Sequence, residues 1–366
     1  MKGRRRAAAA ARETDLKSGK ILVAAMIFAG LLPISEAGAT LAKDIRDWSV
    51  TCTSGLTCSM NFADWASKGL RSIKFRRTDA PNADVELIVS PPPGFDADGD
   101  PTGVYTFHID GKDALSAPVS GFKREGVAVN LVYSDQKSVR ILLDAMKAGT
   151  SMEMMYQGAL GRFSLPVKLA GVKGALIYID EAQDRLQRTD ALEVKGDKAS
   201  PAEAMAKDIL RVEDLPEAIR GDFTNDSGAC SELDSDIGDY NGFQVTIDNV
   251  QWIVVPCGSG GAYNQPYALY VGYDVITERI SFPDIREGKP STLSTAYNVD
   301  FDPKTKTLTS FFRGRGFGDC GLWSKWKLAD NGSPALMLLE ERRKDDCDEN
   351  EMGGPQNFPL EWPVSK

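Results

Sequence analysis

The sequence contains a single histidine, His108, in 366 residues, and this scarcity narrows the chemistry open to the protein. Histidine is the commonest general base and the commonest metal ligand in proteins. Ser259 lies between glycines, but a serine nucleophile needs a base within hydrogen-bond reach, and the Gly-x-Ser-x-Gly elbow is missing. The sequence therefore argues against a serine hydrolase. It places His108 in a strand, as a surface or packed residue.

Basic residues are the minority once the first 39 residues are set aside. The remainder carries 36 basic and 49 acidic side chains, a net charge of −13. Affinity for nucleic acid comes largely from Lys and Arg that neutralise phosphates, and basic segments drive adhesion to anionic membranes. We therefore expect neither a nucleic-acid partner nor electrostatic membrane binding.

Long apolar runs are absent after the N-terminal region, where one run follows a basic start. Ile21–Ile34 is uncharged and spans 14 residues, short of the roughly 20 that cross a bilayer as a helix. Small residues follow at Ala37-Gly38-Ala39. This order predicts a signal peptide over residues 1–39, with cleavage after Ala39 or, second, after Ala42. The alternative is a short anchor that stays uncleaved. The expected location is periplasmic or secreted.

The six cysteines all follow the predicted signal, and no Cys-x-x-Cys motif is present. An even count in an exported chain favours disulfides over a metal site or a redox dithiol. We predict bridges between sequence neighbours, although six cysteines permit 15 pairings in principle. The predicted pairs are Cys52–Cys58, Cys230–Cys257 and Cys320–Cys347.

Residue patterns predict a mostly β protein with two disulfide-stapled domains. The first, residues 44–192, has strands such as 84–90 and 127–133 and helices at 137–148 and from 172; it is α+β. Residues 193–222, rich in charge and proline, read as a linker with at most a short helix around 203–210. The second domain, residues 223–366, is predicted to be all-β. Its strands fall at 244–255, 268–275, 305–312, 322–328 and 335–340.

Short motifs in the first domain resemble the invasion-associated locus B proteins, which are exported bacterial proteins linked to host-cell entry. These motifs are Trp48–Cys52, the nearby Cys58 and Leu169–Leu176. The whole chain resembles the exported bacterial family called domain of unknown function 1176. The residues that carry this second resemblance are Asp180–Arg185, Cys257–Asn264 and Arg313–Gly321. That family usually has glycine where Asp184 stands. The resemblance implies a periplasmic or secreted protein and supplies no catalytic residue.

The segment Arg313–Gly321 combines four glycines with two arginines and forms the first part of the candidate ligand site. Guanidinium forks on a free backbone can hold a carboxylate or a phosphate. The structural alternative is a tight turn beside Cys320 in which Arg313, Arg315 and Asp319 pair with each other. Tyr263 and Asn264 complete the candidate site.

Acidic clusters offer two further hypotheses that the sequence does not favour. The segments 96–100 and 234–239 space carboxylates as calcium loops do, but both lack the closing glutamate. The run 345–351 reads as a solvated turn. Paired carboxylates could also build a glycosidase, but no pair stands out among 49 acidic residues. We expect no cofactor and no metal site.

The function that these observations favour is non-catalytic binding of an envelope or extracellular ligand or protein. Two alternatives remain open. One is a carboxylate-based hydrolase of envelope glycan, which predicts an acidic pair in a deep cleft. The other is an exported host-interaction factor of the invasion-associated kind, which predicts an apolar or aromatic patch on the surface.

Overall fold

A computed structural model describes residues 41–95, 100–125, 130–233, 237–273, 275–347 and 354–363. Several predicted features lie outside these residues. They are the signal peptide at 1–39, residues 96–99 of the first acidic segment, residues 234–236 of the second, residues 348–351 of the run 345–351, residues 127–129 of the predicted strand 127–133, and residue 274 of the predicted strand 268–275. In the first acidic segment Asp100 is described, and its carboxylate accepts hydrogen bonds from Thr102, Tyr156 and the backbone of Ala159.

The N-terminal half, residues 41–192, is built from short antiparallel strands and two helices. Its helices are α1 (Gln136–Ala148) and α2 (Val172–Ala182). Its strands are β1 (Leu41–Ile45), β2 (Trp48–Cys52), β3 (Cys58–Ala63), β4 (Ser72–Arg77), β5 (Val85–Val89), β6 (Val104–Ile109), β7 (Lys112–Pro118), β8 (Lys123–Glu125), β9 (Asn130–Tyr133), β10 (Ser151–Gly158) and β11 (Gly161–Lys168). This arrangement confirms the α+β prediction for the first part of the chain.

Two sheets enclose the core of this half. The described strands form one sheet in the order β1-β2-β3-β4-β5-β9-β8 and a second in the order β11-β10-β6-β7. Alternate side chains of a strand point to opposite faces, so Trp48, Val50 and Met60 are buried between the sheets while their neighbours face outward. Helix α1 adds Val139, Leu142, Leu143 and Met146 to the same core, as its apolar spacing predicts.

The motifs that resemble the invasion-associated proteins meet in space at the start of α2. Trp48 Nε1 donates a hydrogen bond of 2.9 Å to the carbonyl oxygen of Lys168. Gly171 then has a φ of 107°, and a Cβ there would lie 2.1 Å from the carbonyl oxygen of Ile45. Only glycine allows the chain to turn into α2 this close to β1.

The segment Asp180–Arg185 forms a buried polar network at the end of α2. Arg77 Nη2 lies 2.9 Å from Asp180 Oδ1, and its Nε donates to Gln183 Oε1 at 2.8 Å. Arg185 reaches Asp79 and Asp190. Asp184 has a φ of 52°, in the left-handed region that glycine adopts most readily.

The C-terminal half, residues 206–363, contains the remaining elements. Its helix is α3 (Glu217–Thr224). Its strands are β12 (Ala206–Asp208), β13 (Phe243–Ile247), β14 (Val250–Pro256), β15 (Pro266–Tyr273), β16 (Ile276–Ile280), β17 (Phe282–Arg286), β18 (Lys289–Leu293), β19 (Ala296–Tyr297), β20 (Asp300–Asp302), β21 (Thr307–Arg313), β22 (Gly321–Leu328), β23 (Leu336–Lys344) and β24 (Leu360–Trp362). The mostly β fold predicted for the chain is thus confirmed.

Two details of the sequence prediction for this half are wrong. The short helix expected around 203–210 is instead the strand β12, because Ala206 packs into the core while Lys207 faces solvent. The single run 244–255 is two strands, β13 and β14, joined at Asp248 and Asn249, which both have positive φ. Asp and Asn tolerate that conformation, and such pairs form tight hairpin turns.

All three predicted disulfides are present. The Sγ atoms are joined in Cys52–Cys58, Cys230–Cys257 and Cys320–Cys347, and the described residues leave no cysteine free. In the part of the chain that the structure describes, no helix is long and apolar enough to span a membrane.

Candidate functional site

A cleft of about 980 Å³ lies between the outer face of the first sheet and the C-terminal half. Strands β2, β3 and β4 alternate buried apolar residues with outward polar ones, so one wall is polar. Its outward side chains are Ser49, Thr51, Ser59, Asn61, Lys74 and Arg76, and the neighbouring strand β5 adds Glu86 and Ile88. On this wall Arg76 binds Glu86 at 2.8 Å and Glu125 at 2.9 Å, which neutralises its charge locally.

The opposite wall of the cleft is partly apolar. Val212, Phe223 and Leu233 are half-buried and pack on a small core that includes Ile219 and the Cys230–Cys257 disulfide, while their remaining surface faces the cleft. Tyr267 also lines the cleft, and burial keeps the pKa of its phenol well above its ordinary value. The phenol is therefore a neutral hydrogen-bonding group there.

Asp208 fastens the two walls together at the loop closed by Cys52–Cys58. Its carboxylate accepts hydrogen bonds from the hydroxyl of Thr53 at 2.6 Å, the backbone N–H of Gly55 at 2.9 Å and that of Thr57 at 3.0 Å. A Cβ on Gly55 would lie 2.6 Å from the Asp208 Cγ. Glycine at this position therefore permits the close approach.

Asn241 makes a second set of bonds across the same junction. Its Oδ1 accepts from the backbone N–H of Ser54 at 2.8 Å, and its Nδ2 donates to Ser54 Oγ at 3.0 Å and to Asp300 Oδ1 at 3.0 Å. The Cys52–Cys58 loop is thus held by two polar side chains of the C-terminal half. This contact fixes the spacing of the cleft walls.

In the predicted Arg313–Gly321 segment, Arg315 and Asp319 pair with each other. Arg315 donates from Nε to Asp319 Oδ1 at 2.9 Å and from Nη2 to Oδ2 at 2.6 Å. These hydrogen bonds hold the pKa of Asp319 below its usual value. Gly321 has a φ of 139°, and a Cβ there would lie 1.9 Å from the Phe312 carbonyl oxygen. This geometry matches the structural alternative for Arg315, a braced turn.

The other predicted site residues also lie together. Asn264 Nδ2 donates to the carbonyl oxygen of Arg313 at 2.8 Å, and the Arg313 N–H donates to Asn264 Oδ1 at 2.9 Å. The Arg313 guanidinium lies over the ring of Phe311. Tyr263 lies beside Gly316 and is 38% exposed. A ligand role for these residues stays a prediction.

Asn298 links this loop to the cleft. Its Nδ2 donates to the carbonyl oxygens of Tyr263 at 3.0 Å and Phe311 at 2.9 Å, and its Oδ1 accepts from the Gln265 N–H at 3.1 Å. Asn298 and Gln265 both line the cleft. The predicted loop therefore borders the cleft at one end.

The residues considered for enzyme chemistry have other contacts. Ser259 Oγ donates to the carbonyl oxygen of Glu232 at 2.9 Å, and His108 Nδ1 lies 2.6 Å from Asp113 Oδ1. Within the described ranges, no group of three or more His, Cys, Asp or Glu side chains is placed to hold a metal ion.

A carboxyl pair, Asp284 and Glu341, is enclosed in the C-terminal half away from the cleft. Both side chains are buried, with 2% and 0% exposure. Burial and then the charge of Asp284 raise the pKa of Glu341 to about 7. The pair has the raised pKa of a general acid, but its burial leaves no room for a substrate.

Sequence reasoning missed the cleft, Asp208, Asn241 and Asn298. The polar wall could have been predicted from the sequence, because short polar residues alternate with apolar ones at Ser49, Thr51, Ser59 and Asn61. The roles of Asp208 and Asn241 could not, because their partners lie 155 and 187 residues away.

The fold and the site define a class of protein: a β-rich chain stapled by disulfides, with a cleft between two halves that has one polar wall. Within that class, the chain belongs to the family described as protein of unknown function (DUF1176), whose model matches residues 42–365. This match confirms the resemblance predicted from the motifs.

Two known proteins are similar to this chain. "Uncharacterized protein YpfG" of Escherichia coli (strain K12) is 24% identical over 364 residues, which cover 92% of this chain and 97% of the relative. The crystal structure of invasion associated protein b from Bartonella henselae matches 39% of this chain and 99% of its own, with 17% identity and a TM-score of 0.30. At this TM-score the likeness carries no functional inference.

Proposed function

We propose that the protein is an exported, non-catalytic binding protein that holds a ligand of the cell envelope in the cleft. The observation that carries this proposal is the polar wall facing a cleft of about 980 Å³, at the upper end of the roughly 300–1,000 Å³ usual for ligand sites. Export is supported by the three disulfides, which persist in oxidising compartments.

The contacts of the acidic residues favour binding over hydrolysis. A glycosidase needs two carboxyl groups flanking the bond to be cleaved. Of the four acidic residues that line the cleft, Glu86 and Glu125 both bind Arg76, and Asp300 accepts a hydrogen bond from Asn241, which leaves Glu213. The enclosed pair Asp284 and Glu341 is not among the residues that line the cleft.

The test is retention of envelope material by the immobilised mature protein, measured as bound mass. Ser59→Trp places a large ring in the cleft, and Thr106→Trp is its matched control, because Thr106 is an outward, half-buried residue on the other sheet. We expect the wild type and Thr106→Trp to retain material from an extract of the producing bacterium and Ser59→Trp to lose it. Equal retention by all three would contradict the proposal.

A second candidate is an exported interaction factor, and one observation favours it. Met337 and Leu339 on β23 and Leu360 and Trp362 on β24 are between 37% and 56% exposed. Exposed apolar side chains on adjacent strands are typical of protein-binding surfaces. Met337→Ser with Leu339→Ser should then abolish adhesion of the protein to host cells, while Ser59→Trp should leave adhesion unchanged.

A further inference from the structure

The polar wall of the cleft has a regular spacing that comes from strand register. Cross-strand pairing aligns outward side chains in two rows: Thr51, Ser59, Arg76 and Glu86 in one, and Ser49, Asn61, Lys74 and Ile88 in the other. Neighbouring strands lie about 4.8 Å apart. A ligand that crosses the strands therefore meets a new side chain at about that interval, over roughly 14 Å.

This interval favours a sugar chain over a peptide. An extended β-linked glycan advances by a similar distance per sugar, whereas an extended peptide presents side chains of one face roughly 6.6 Å apart. The wall is also the face of a sheet whose backbone groups are already paired between strands. A peptide could not add to it as a further strand, which is the usual way that sheets capture peptides.

The hydrogen-bonding capacity of the wall matches sugar hydroxyls. Among the described residues, the side chains of Thr51, Ser59 and Asn61 make no hydrogen bond. Hydroxyl and amide groups both donate and accept, as a sugar hydroxyl does. These three side chains are adjacent in the two rows and face the cleft.

Arg76, one of the two basic side chains on the wall, is already paired with carboxylates. Arg76 lies between Glu86 and Glu125, at 2.8 Å and 2.9 Å. A phosphate that bound Arg76 would have to displace both carboxylates, and their charge would then lie beside its own. A neutral glycan has no such cost.

Aromatic side chains beside Asn298 offer apolar faces for sugar rings. The rings of Tyr297 and Phe312 are 5.0 Å apart in an edge-to-face arrangement, and Phe312 is 38% exposed. Tyr263, whose carbonyl oxygen accepts a hydrogen bond from Asn298, is exposed to the same extent. Aromatic rings with one exposed face combine apolar contact with low entropy loss on binding.

We propose that the ligand of the cleft is a glycan chain laid across β2, β3 and β4, with its hydroxyl groups bound by Thr51, Ser59 and Asn61. This inference rests on the proposed binding function and names the class of ligand. The rings of Tyr297 and Phe312 contact the sugar rings where the chain leaves the cleft past Asn298.

The experiment applies two treatments to the envelope extract before it meets the immobilised mature protein. Periodate, quenched before use, cleaves the vicinal diols of sugars, and a protease, inactivated before use, removes proteins. The variants are Ser59→Ala with Asn61→Ala, and the matched control Thr106→Ala with Ser116→Ala on the other sheet. Thr106 and Ser116 also pair across neighbouring strands and point outward.

We expect material retained by the wild type to survive protease and to be lost after periodate. The Ser59 and Asn61 double variant should bind it about tenfold more weakly, because it loses two hydrogen-bonding side chains, and the control should bind normally. Retained material that survives periodate and is lost after protease would overturn the glycan class while leaving the binding function intact. If the wild type retains no more of the untreated extract than Ser59→Trp does, both the glycan class and the binding function are overturned.

Discussion

The carboxylate of Asp208 accepts a hydrogen bond of 2.6 Å from the hydroxyl of Thr53, which lies 155 residues earlier in the chain. Two backbone N–H groups of the same disulfide-closed loop donate to that carboxylate. One side chain of the C-terminal half thus organises a loop of the N-terminal half. The junction sets the distance between the two walls of the cleft.

Replacing Asp208 should therefore lower stability. Asp208→Ala leaves three donors without their acceptor, and hydrogen bonds to a charged group contribute about 1.5–3 kcal/mol. We expect the free energy of unfolding to fall by about that amount in denaturant titrations. Asp330→Ala, which removes an exposed carboxylate from a surface turn, is the control. Matching losses in the two variants would show that the junction contributes little.

Gly55→Ala tests the same junction through its packing. The added Cβ would lie 2.6 Å from Asp208 Cγ and 2.7 Å from the Asp208 backbone nitrogen. The loop must move away from β12, so we expect a loss of stability and a wider cleft. Gly111→Ala is not a suitable control, because Gly111 has a positive φ. Gly261→Ala, whose Cβ would meet no atom nearer than 3.8 Å, should be nearly neutral. If Gly55→Ala leaves the free energy of unfolding unchanged, the close contact between Gly55 and Asp208 is contradicted.

The pair Arg315 and Asp319 should behave as one unit. Because Arg315 donates two hydrogen bonds to Asp319, Arg315→Ala and Asp319→Ala should lower the melting temperature by similar amounts. The double variant should cost little more than either single change, as coupled residues do in a double-mutant cycle. If the losses in melting temperature of the two single variants add fully in the double variant, the two side chains act separately. Arg315 would then be available for the ligand-binding role.

The buried pair Asp284 and Glu341 should make stability depend on pH. Burial and the charge of Asp284 raise the pKa of Glu341 from 4.5 to about 7. The other polar groups near it are Arg343 at 3.9 Å, Ser324 at 3.5 Å and the backbone N–H of Ile285 at 3.4 Å. Between pH 4.5 and about pH 7, Glu341 keeps a proton in the folded state that it has lost in the unfolded state. The free energy of unfolding therefore falls as the pH rises through this range.

Glu341→Gln removes the carboxyl group that holds this proton. We expect the variant to melt at a higher temperature than the wild type at pH 8, because no carboxylate is ionised beside Asp284. At pH 5 the advantage should shrink. Glu340→Gln, on the same strand, is the control for the loss of one acidic residue. An advantage of Glu341→Gln that is the same at both pH values would contradict the raised pKa of Glu341.

Local patterns predicted the elements of this fold well, and long-range contacts could not be predicted from them. The helix at 137–148 was expected from the spacing of Val139, Leu142, Leu143 and Met146, and all four are buried. The disulfides were expected from the order of the cysteines. The candidate site grouped Asn264 with the Arg313–Gly321 loop, and Asn264 bonds to Arg313 in both directions.

The cleft itself depends on the packing of two halves, which no local pattern encodes. Whether Ser59 and Asn61 face solvent or a second wall is decided by Asp208 and Asn241, whose roles become visible only when residues 150 or more positions apart meet. The short helix expected at 203–210 failed for a related reason. Pairing with β13 makes this segment a strand, and tertiary pairing overrides helix propensity.

The most direct test of the cleft as the binding site is thermal melting of the mature protein with and without the envelope extract. A ligand that binds the folded state raises the melting temperature by mass action. We predict that the extract raises it for the wild type and for Thr106→Trp, and leaves it unchanged for Ser59→Trp. An equal rise for Ser59→Trp would place the ligand elsewhere on the protein and contradict the account.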